Sequence, residues 1–167
     1  VTRAGTLYFT RGSDDEAESY IYRSQWVDGA YAEPERLGPE VNSTTSQFNA
    51  FISPDEDYLI LCTADREDTL GGTDYYIVFR NDDDEWSEPV NLGPTVNTAG
   101  GGEFSPYVSP DGRYLFFMST RMMPETEIPA ELSRDFLWRY RMGPESGNAG
   151  IYWISTDVLE ALRPAGF

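Results

Sequence analysis

The chain contains no histidine and a single cysteine among its 167 residues, so imidazole proton shuttles and a Cys-His nucleophile are absent from its chemistry. A Ser-His-Asp triad is excluded within this segment for the same reason. Carboxylates, arginines and amides remain. Glu103, directly after Gly100-Gly101-Gly102, could form with Asp65 or Asp74 the two carboxylates of a glycosidase-type site. Asn42 and Asn97 recur at matched positions of a duplicated phrase, where an amide either meets a ligand or closes an Asx-type turn. Arg66 and Arg121 end equivalent apolar runs and are expected to brace loops through backbone carbonyls or a carboxylate, or to reach a ligand. Arg134, Arg139 and Arg141 beside Trp138 make the one basic-aromatic cluster, either a ligand or partner surface or a lid over core. The glycine run lacks a following lysine and cradles no phosphate; it reads as a source of flexibility or positive φ. The acidic runs Asp14-Asp15-Glu16 and Asp82-Asp83-Asp84-Glu85 lack the spacing of calcium loops and read as solvated turns. No metal and no cofactor is implied.

These residues sit within a repeat. The phrase WSEPVNLGPTVNT from Trp86 to Thr98 echoes YAEPERLGPEVNS from Tyr31 to Ser43, 55 residues upstream. Ser53-Pro54-Asp55-Glu56-Asp57-Tyr58-Leu59 returns as Ser109-Pro110-Asp111-Gly112-Arg113-Tyr114-Leu115, 56 positions later. One period in two phrases marks a repeated unit, placed at about residues 5–47, 48–103 and 104–164. Each unit carries a run ending in Ser-Pro-Asp, except in the first, then an apolar run such as Leu59-Ile60-Leu61 or Leu115-Phe116-Phe117, then an aromatic run such as Tyr75-Tyr76-Ile77. The first two units close with the doubled phrase. An apolar run without alternation suits a strand buried on both faces. Pro110-Asp111-Gly112-Arg113 has the composition of a tight turn. The expected architecture is all-β: four-stranded antiparallel meanders stacked radially as β-propeller blades, about two and a half to three of them.

The tyrosines Tyr22, Tyr76 and Tyr152 stand 54 and then 76 residues apart, so the last unit carries an insert at about residues 122–148. Within it, Pro129 to Tyr140 reads as a short amphipathic helix with Leu132, Phe136 and Tyr140 on one face. A second short helix, capped by Asp157 and stopped by Pro164, is expected to seal the last blade and to mark the natural end of the protein. In a meander the turns after strands one and three share one end, and the loops after strands two and four share the other. All long loops fall on the second end, which is where a site is expected.

A formal charge of -17, with all twelve basic residues arginine, argues against nucleic acid and against an anionic membrane surface. No apolar run is long enough to span a bilayer, and the start does not look like a signal peptide. Cys62 has no partner and reads as a small buried hydrophobe.

The Ser-Pro-Asp-Gly turn, the Tyr-Leu-aromatic strand and the Trp-Ser-Glu-Pro-Val-Asn-Leu-Gly phrase together resemble the TolB-like, WD-like propeller repeats of bacterial cell-envelope proteins. Departures are Glu56 in place of the turn glycine, and Tyr20 and Gly150 where the family usually has Asp. The resemblance implies a periplasmic or extracellular non-catalytic module that binds protein, peptidoglycan or glycan through its long-loop end. It also implies that further blades upstream, or self-association, close the ring. Some TolB-like propellers are similar to pectin-fragment lyases with a histidine-built metal site, which this segment cannot supply. A carbohydrate-active enzyme working through paired carboxylates is the alternative.

Overall fold

The computed structural model describes residues 1–12 and 18–167, so the acidic run Asp14-Asp15-Glu16 lies outside the described residues. Strands account for 39% of the described residues and helix for 10%, which makes the protein all-β as expected. In chain order the strands are β1 (Leu7–Gly12), β2 (Ser19–Ser24), β3 (Trp26–Val27), β4 (Ala30–Tyr31), β5 (Glu35–Arg36), β6 (Gln47–Ile52), β7 (Tyr58–Thr63), β8 (Asp74–Phe79), β9 (Val90–Asn91), β10 (Glu103–Val108), β11 (Tyr114–Ser119) and β12 (Gly150–Ser155). The helices are α1 (Arg134–Met142) and α2 (Asp157–Glu160). They form a first sheet β1-β2-β5, a middle sheet β6-β7-β8-β9 and a third sheet β10-β11-β12, with β3-β4 as a separate hairpin. Each of these pairings is antiparallel.

Four strands per unit hold only for the middle sheet. Among the described residues the first and third sheets have three strands each. Gln47 and Glu103, read from the sequence as the last residues of the first two units, each open the first edge strand of the sheet that follows. Tyr31, the first residue of the doubled phrase, pairs with Trp26 in the β3-β4 hairpin, so the outer strand proper is only Glu35–Arg36. Among the described residues no sheet closes on itself.

The sheets pack face to face in chain order. Side chains alternate across a strand, so each sheet has a face toward the preceding one and a face toward the following one. In the middle sheet Leu59, Leu61, Tyr76 and Val78 point back to Ile21 of the first sheet. Ile60, Cys62, Tyr75 and Ile77 point forward to Leu115 and Phe117 of the third. This is why Leu59-Ile60-Leu61-Cys62 carries no alternation: each residue is fully buried. The same expectation fails for β11, where Phe116 is exposed, and for β1, where Leu7, Tyr8 and Phe9 are half-buried. Neither strand lies between two sheets. The helix α2 fills the wedge beside the third sheet, with Leu159 buried in the forward core. Its start is not capped by Asp157, which is its first residue; Thr156 precedes it and donates its hydroxyl to Gly112 O at 2.7 Å.

The two Ser-Pro-Asp turns are built alike even where their sequences differ. Glu56 takes φ 62° and Gly112 takes φ 73°, so glutamate occupies the left-handed position that glycine fills in the next repeat. Ser53 and Ser109 both accept the amide of the tyrosine five residues on, at 3.2 and 3.0 Å.

Candidate functional site

The doubled phrase has a specific mechanical use. After the two-residue outer strand, Leu92 N bonds Tyr75 O at 3.1 Å, and the chain leaves the sheet at Gly93 and Pro94. It folds back so that Val96 is fully buried and the Asn97 amide continues the broken ladder. Asn97 Oδ1 accepts Tyr75 N at 2.9 Å, and its Nδ2 donates to Tyr75 O at 3.0 Å and Asn91 Oδ1 at 2.7 Å. The first sheet repeats this arrangement. Leu37 N bonds Ile21 O at 3.1 Å, Val41 is buried, and Asn42 Oδ1 accepts Ile21 N at 2.7 Å while its Nδ2 donates to Ile21 O and Leu37 O at 3.1 and 2.8 Å. Both asparagines are buried and face backbone, so the structure places them in the fold rather than on the rim. Side-chain amides have one acceptor and one donor edge, which is what a strand residue offers its neighbour.

Arg66 and Arg121 divide the two bracing roles read from the sequence. Arg121 donates from Nη2 to Val96 O at 2.7 Å and lies 4.5 Å from the Tyr152 ring centroid. Arg66 donates from Nε to the Asp68 carboxylate at 3.1 Å and lies 4.9 Å from the Tyr76 ring centroid. Each arginine thus stacks on the tyrosine of its own sheet. Arg66 also lines a shallow cleft with Ser43, Thr44 and Asp65.

Glu103 and Asp74, two of the three carboxylates read as candidates for a pair, are sealed. Glu103 is fully buried and accepts Ser119 Oγ at 2.7 Å, Thr98 Oγ1 at 2.9 Å and Thr98 N at 3.3 Å. Loss of solvent raises its pKa above the usual carboxylate range, against the pull of those donors. Asp74, also buried, accepts Leu70 N, Gly71 N and Asn91 Nδ2 at 2.7, 3.2 and 2.8 Å. Asp65 is exposed at φ 64° on the surface loop. The glycines around them do not serve flexibility or positive φ, as the sequence reading had it. A Cβ on Gly71 would fall 2.3 Å from Thr98 O and 2.4 Å from Gly101 O, and one on Gly101 would fall 2.9 Å from Thr120 O. These glycines let the loops of two successive sheets touch backbone to backbone, as in the bond from Gly72 N to Gly101 O at 2.9 Å.

The insert is the part of the long-loop end that faces outward. Its neck is a short ladder: Met123 N to Glu145 O at 2.7 Å and Gly147 N to Arg121 O at 3.1 Å, with Tyr152 Oη accepting Glu145 N at 3.0 Å. Its helix starts at Arg134, five residues after Pro129, because Ser133 is the N-cap and accepts Phe136 N at 3.1 Å. Phe136 and Tyr140 stack with ring centroids 6.0 Å apart. Leu132 is exposed and lies outside the helix. No residue of α1 is buried and Trp138 is 67% exposed, so Trp138 covers no core. With 3.6 residues per turn, Arg134, Leu137, Trp138 and Arg141 share one face, flanked by Met142 on one side, while Arg139 stands beyond it above Asp135.

A concavity of about 770 Å³ opens at the opposite end of the strands, among the Ser-Pro-Asp turns. Phe51 and Tyr107, repeat equivalents, meet edge to face there at 5.8 Å. Its carboxylates are engaged: Asp55 with Arg3, Asp57 with Ser53 and Arg163, and Asp111 with Ser109 and Arg113. The sequence signal for this groove was the Ser-Pro-Asp repeat itself, which had been read only as turns.

Cys62 lies in the forward core, and burial pushes its thiol up to about 12. Among the described residues no group of three or more Asp, Glu or Cys is placed to hold a metal ion, and no helix is long and apolar enough to cross a membrane. Comparison with protein-family models, curated proteins and solved structures finds no match to the chain.

Proposed function

We propose that the three sheets are successive blades of a TolB-like β-propeller, and that the chain is a non-catalytic recognition module whose insert helix docks a protein partner. The blade reading is supported by the stacking of antiparallel sheets in chain order, with the innermost strands β6 and β10 in contact. The single observation that carries the recognition reading is the exposure of α1. A closed neck holds this helix away from the core, and its outward face joins Trp138 and Leu137 to Arg134 and Arg141. Exposed aromatic and arginine side chains on a helix face, spaced i, i+3, i+4 and i+7, are the anchors by which helices seat in grooves. None of the three α1 arginines forms an ion pair among the described residues, in a chain of formal charge -17. The partner surface is therefore apolar and acidic. A place in the cell envelope or outside the cell belongs to the same proposal and rests on the repeat resemblance.

Selection of a phage-displayed peptide library on the chain tests it. Enriched sequences are expected to combine acidic and apolar residues. In calorimetry the Trp138→Ala/Arg141→Ala variant should bind them at least about tenfold more weakly, a loss near 1.4 kcal/mol, with the melting temperature unmoved. Absence of enrichment, or affinity indifferent to both substitutions, overturns the docking reading. Turnover of an envelope glycan that vanishes in Glu103→Gln overturns the non-catalytic one.

A further inference from the structure

The sheets of this chain join by one rule: the forward face of a sheet meets the backward face of the next. The middle sheet shows the forward face in use. Its rows Phe51-Ile60-Ile77 and Cys62-Tyr75, set side by side by strand register, pack into the core shared with Leu115 and Phe117. The third sheet carries the same rows in the same register, Tyr107-Phe116-Trp153 and Met118-Ile151. Here Ile151 is 72% exposed, Trp153 64% and Phe116 37%, whereas their counterparts Tyr75, Ile77 and Ile60 are at 0%. Single exposed apolar residues are ordinary; register-matched rows of them on one sheet face mark an interface.

The far end of the stack supplies the matching surface. The backward face of the first sheet presents Leu7, Phe9 and Tyr22, all half-buried. Phe9 and Tyr22 stack at 6.1 Å and 20°, and Phe117 and Tyr152 stack at 5.9 Å and 29°. The second of these pairs is the one the third sheet already presses against the forward face of the middle sheet. One end thus bears the recurring socket and the other bears the recurring plug.

We infer that these ends join between molecules, the third sheet of one copy receiving the first sheet of a second copy. The contact is heterologous, head to tail. Two chains joined at both ends bring together six sheets, three from each chain, which falls within the 4 to 8 blades of closed propellers. That last step rests on the propeller reading above; the head-to-tail contact does not.

Sedimentation velocity across about 5 to 200 µM, a range in which weak association registers, tests the contact. The chain is expected to run at twice its 18.9 kDa. Phe9→Glu and Trp153→Glu each spoil one end, and each should associate at least about tenfold more weakly. Mixed one to one, they should recover a dimer, because each variant keeps the end that the other lacks. Ile151→Glu, at an open position, serves in place of Trp153→Glu if that variant does not fold. A wild-type chain that stays monomeric throughout, or a mixture that yields no dimer, overturns the inference and leaves the face to another occupant, such as a further repeat. Dimers of Phe9→Glu alone overturn it in favour of like faces pairing. Trp138→Ala should leave association unchanged, which separates this contact from docking on α1.

Discussion

Replacing Asn97 by alanine separates a structural amide from a ligand-binding one. The amide satisfies three groups: Tyr75 N, Tyr75 O and Asn91 Oδ1. After truncation Tyr75 O keeps Leu92 N, and Asn91 Oδ1 keeps Gly93 N. Tyr75 N keeps nothing. Asn97 is 1% exposed and Tyr75 is fully buried, so water does not replace the lost acceptor. One orphaned buried amide costs about 1–3 kcal/mol, and each bond lost from a group that retains another partner costs about 0.5 kcal/mol. The total is about 3 kcal/mol, which for a chain of this size lowers the melting temperature by about 6–12 °C. Asn42→Ala removes the equivalent acceptor from Ile21 N and should cost about the same. The two sites lie in different sheets, so the double variant should show the sum. Circular dichroism melts and urea titrations read by tryptophan fluorescence measure both. A loss below about 0.5 kcal/mol for either single variant would refute the argument that these amides complete the ladders, since exposed substitutions fall in that range.

Three further outcomes follow from the same geometry. Arg23 Nη1 and Nη2 hold both oxygens of Asp84 at 2.9 and 3.1 Å, and that guanidinium, with Arg80, lowers the Asp84 pKa from 3.8 to about 2. A depressed carboxylate pKa stabilises the fold above the unfolded value, and this contribution disappears as pH falls through about 2. Asp84→Asn should therefore flatten the stability profile between about pH 4 and 2; because the carboxylate is half-exposed, the effect is about 1 kcal/mol rather than the 2–3 the shift alone would give. Glu103 has the opposite sign: its raised pKa gives stability that is complete at low pH and lost as pH rises through the folded value. Glu103→Gln, the residue that Gln47 provides in the preceding repeat, should melt increasingly above wild type as pH is raised from 4 to 9, and a parallel pair of curves would contradict this. Gly71→Ala places a methyl against two carbonyl oxygens of backbone, which cannot rotate away, and should cost about 2–3 kcal/mol in a urea titration.

The duplicated phrases were enough to locate the strands, because a repeated turn and a repeated apolar run can only be read as a repeated unit. The phrase Leu-Gly-Pro-x-Val-Asn was legible as the close of a unit, and its asparagine as either a ligand contact or an Asx-type turn. That the asparagine closes a ladder on Tyr75 and Ile21 was not legible, since the partners lie 22 and 21 residues away. Arg66 and Arg121 were readable as braces from their positions at the ends of equivalent strands. Glu103 looked like a candidate acid because composition cannot report burial. Gly101 was misread and Gly71 not singled out because close approach involves two loops, and a sequence shows one at a time. Apolar runs at Leu7-Tyr8-Phe9 and Leu115-Phe116-Phe117 promised two covered faces; the stack supplies two only to its middle sheet.

The neck of the insert sets what its tip is free to become. Residues 123 and 145 are hydrogen-bonded neighbours, so the segment between them leaves and re-enters the framework at one point. For such a loop the closure entropy grows only with the logarithm of its length, about 0.6 kcal/mol for each doubling. Register between β11 and β12 is fixed below the neck and does not depend on what is carried above it. The tip is thus a cassette: its helix can be exchanged, lengthened or replaced by a foreign epitope while the sheets beneath keep their alignment.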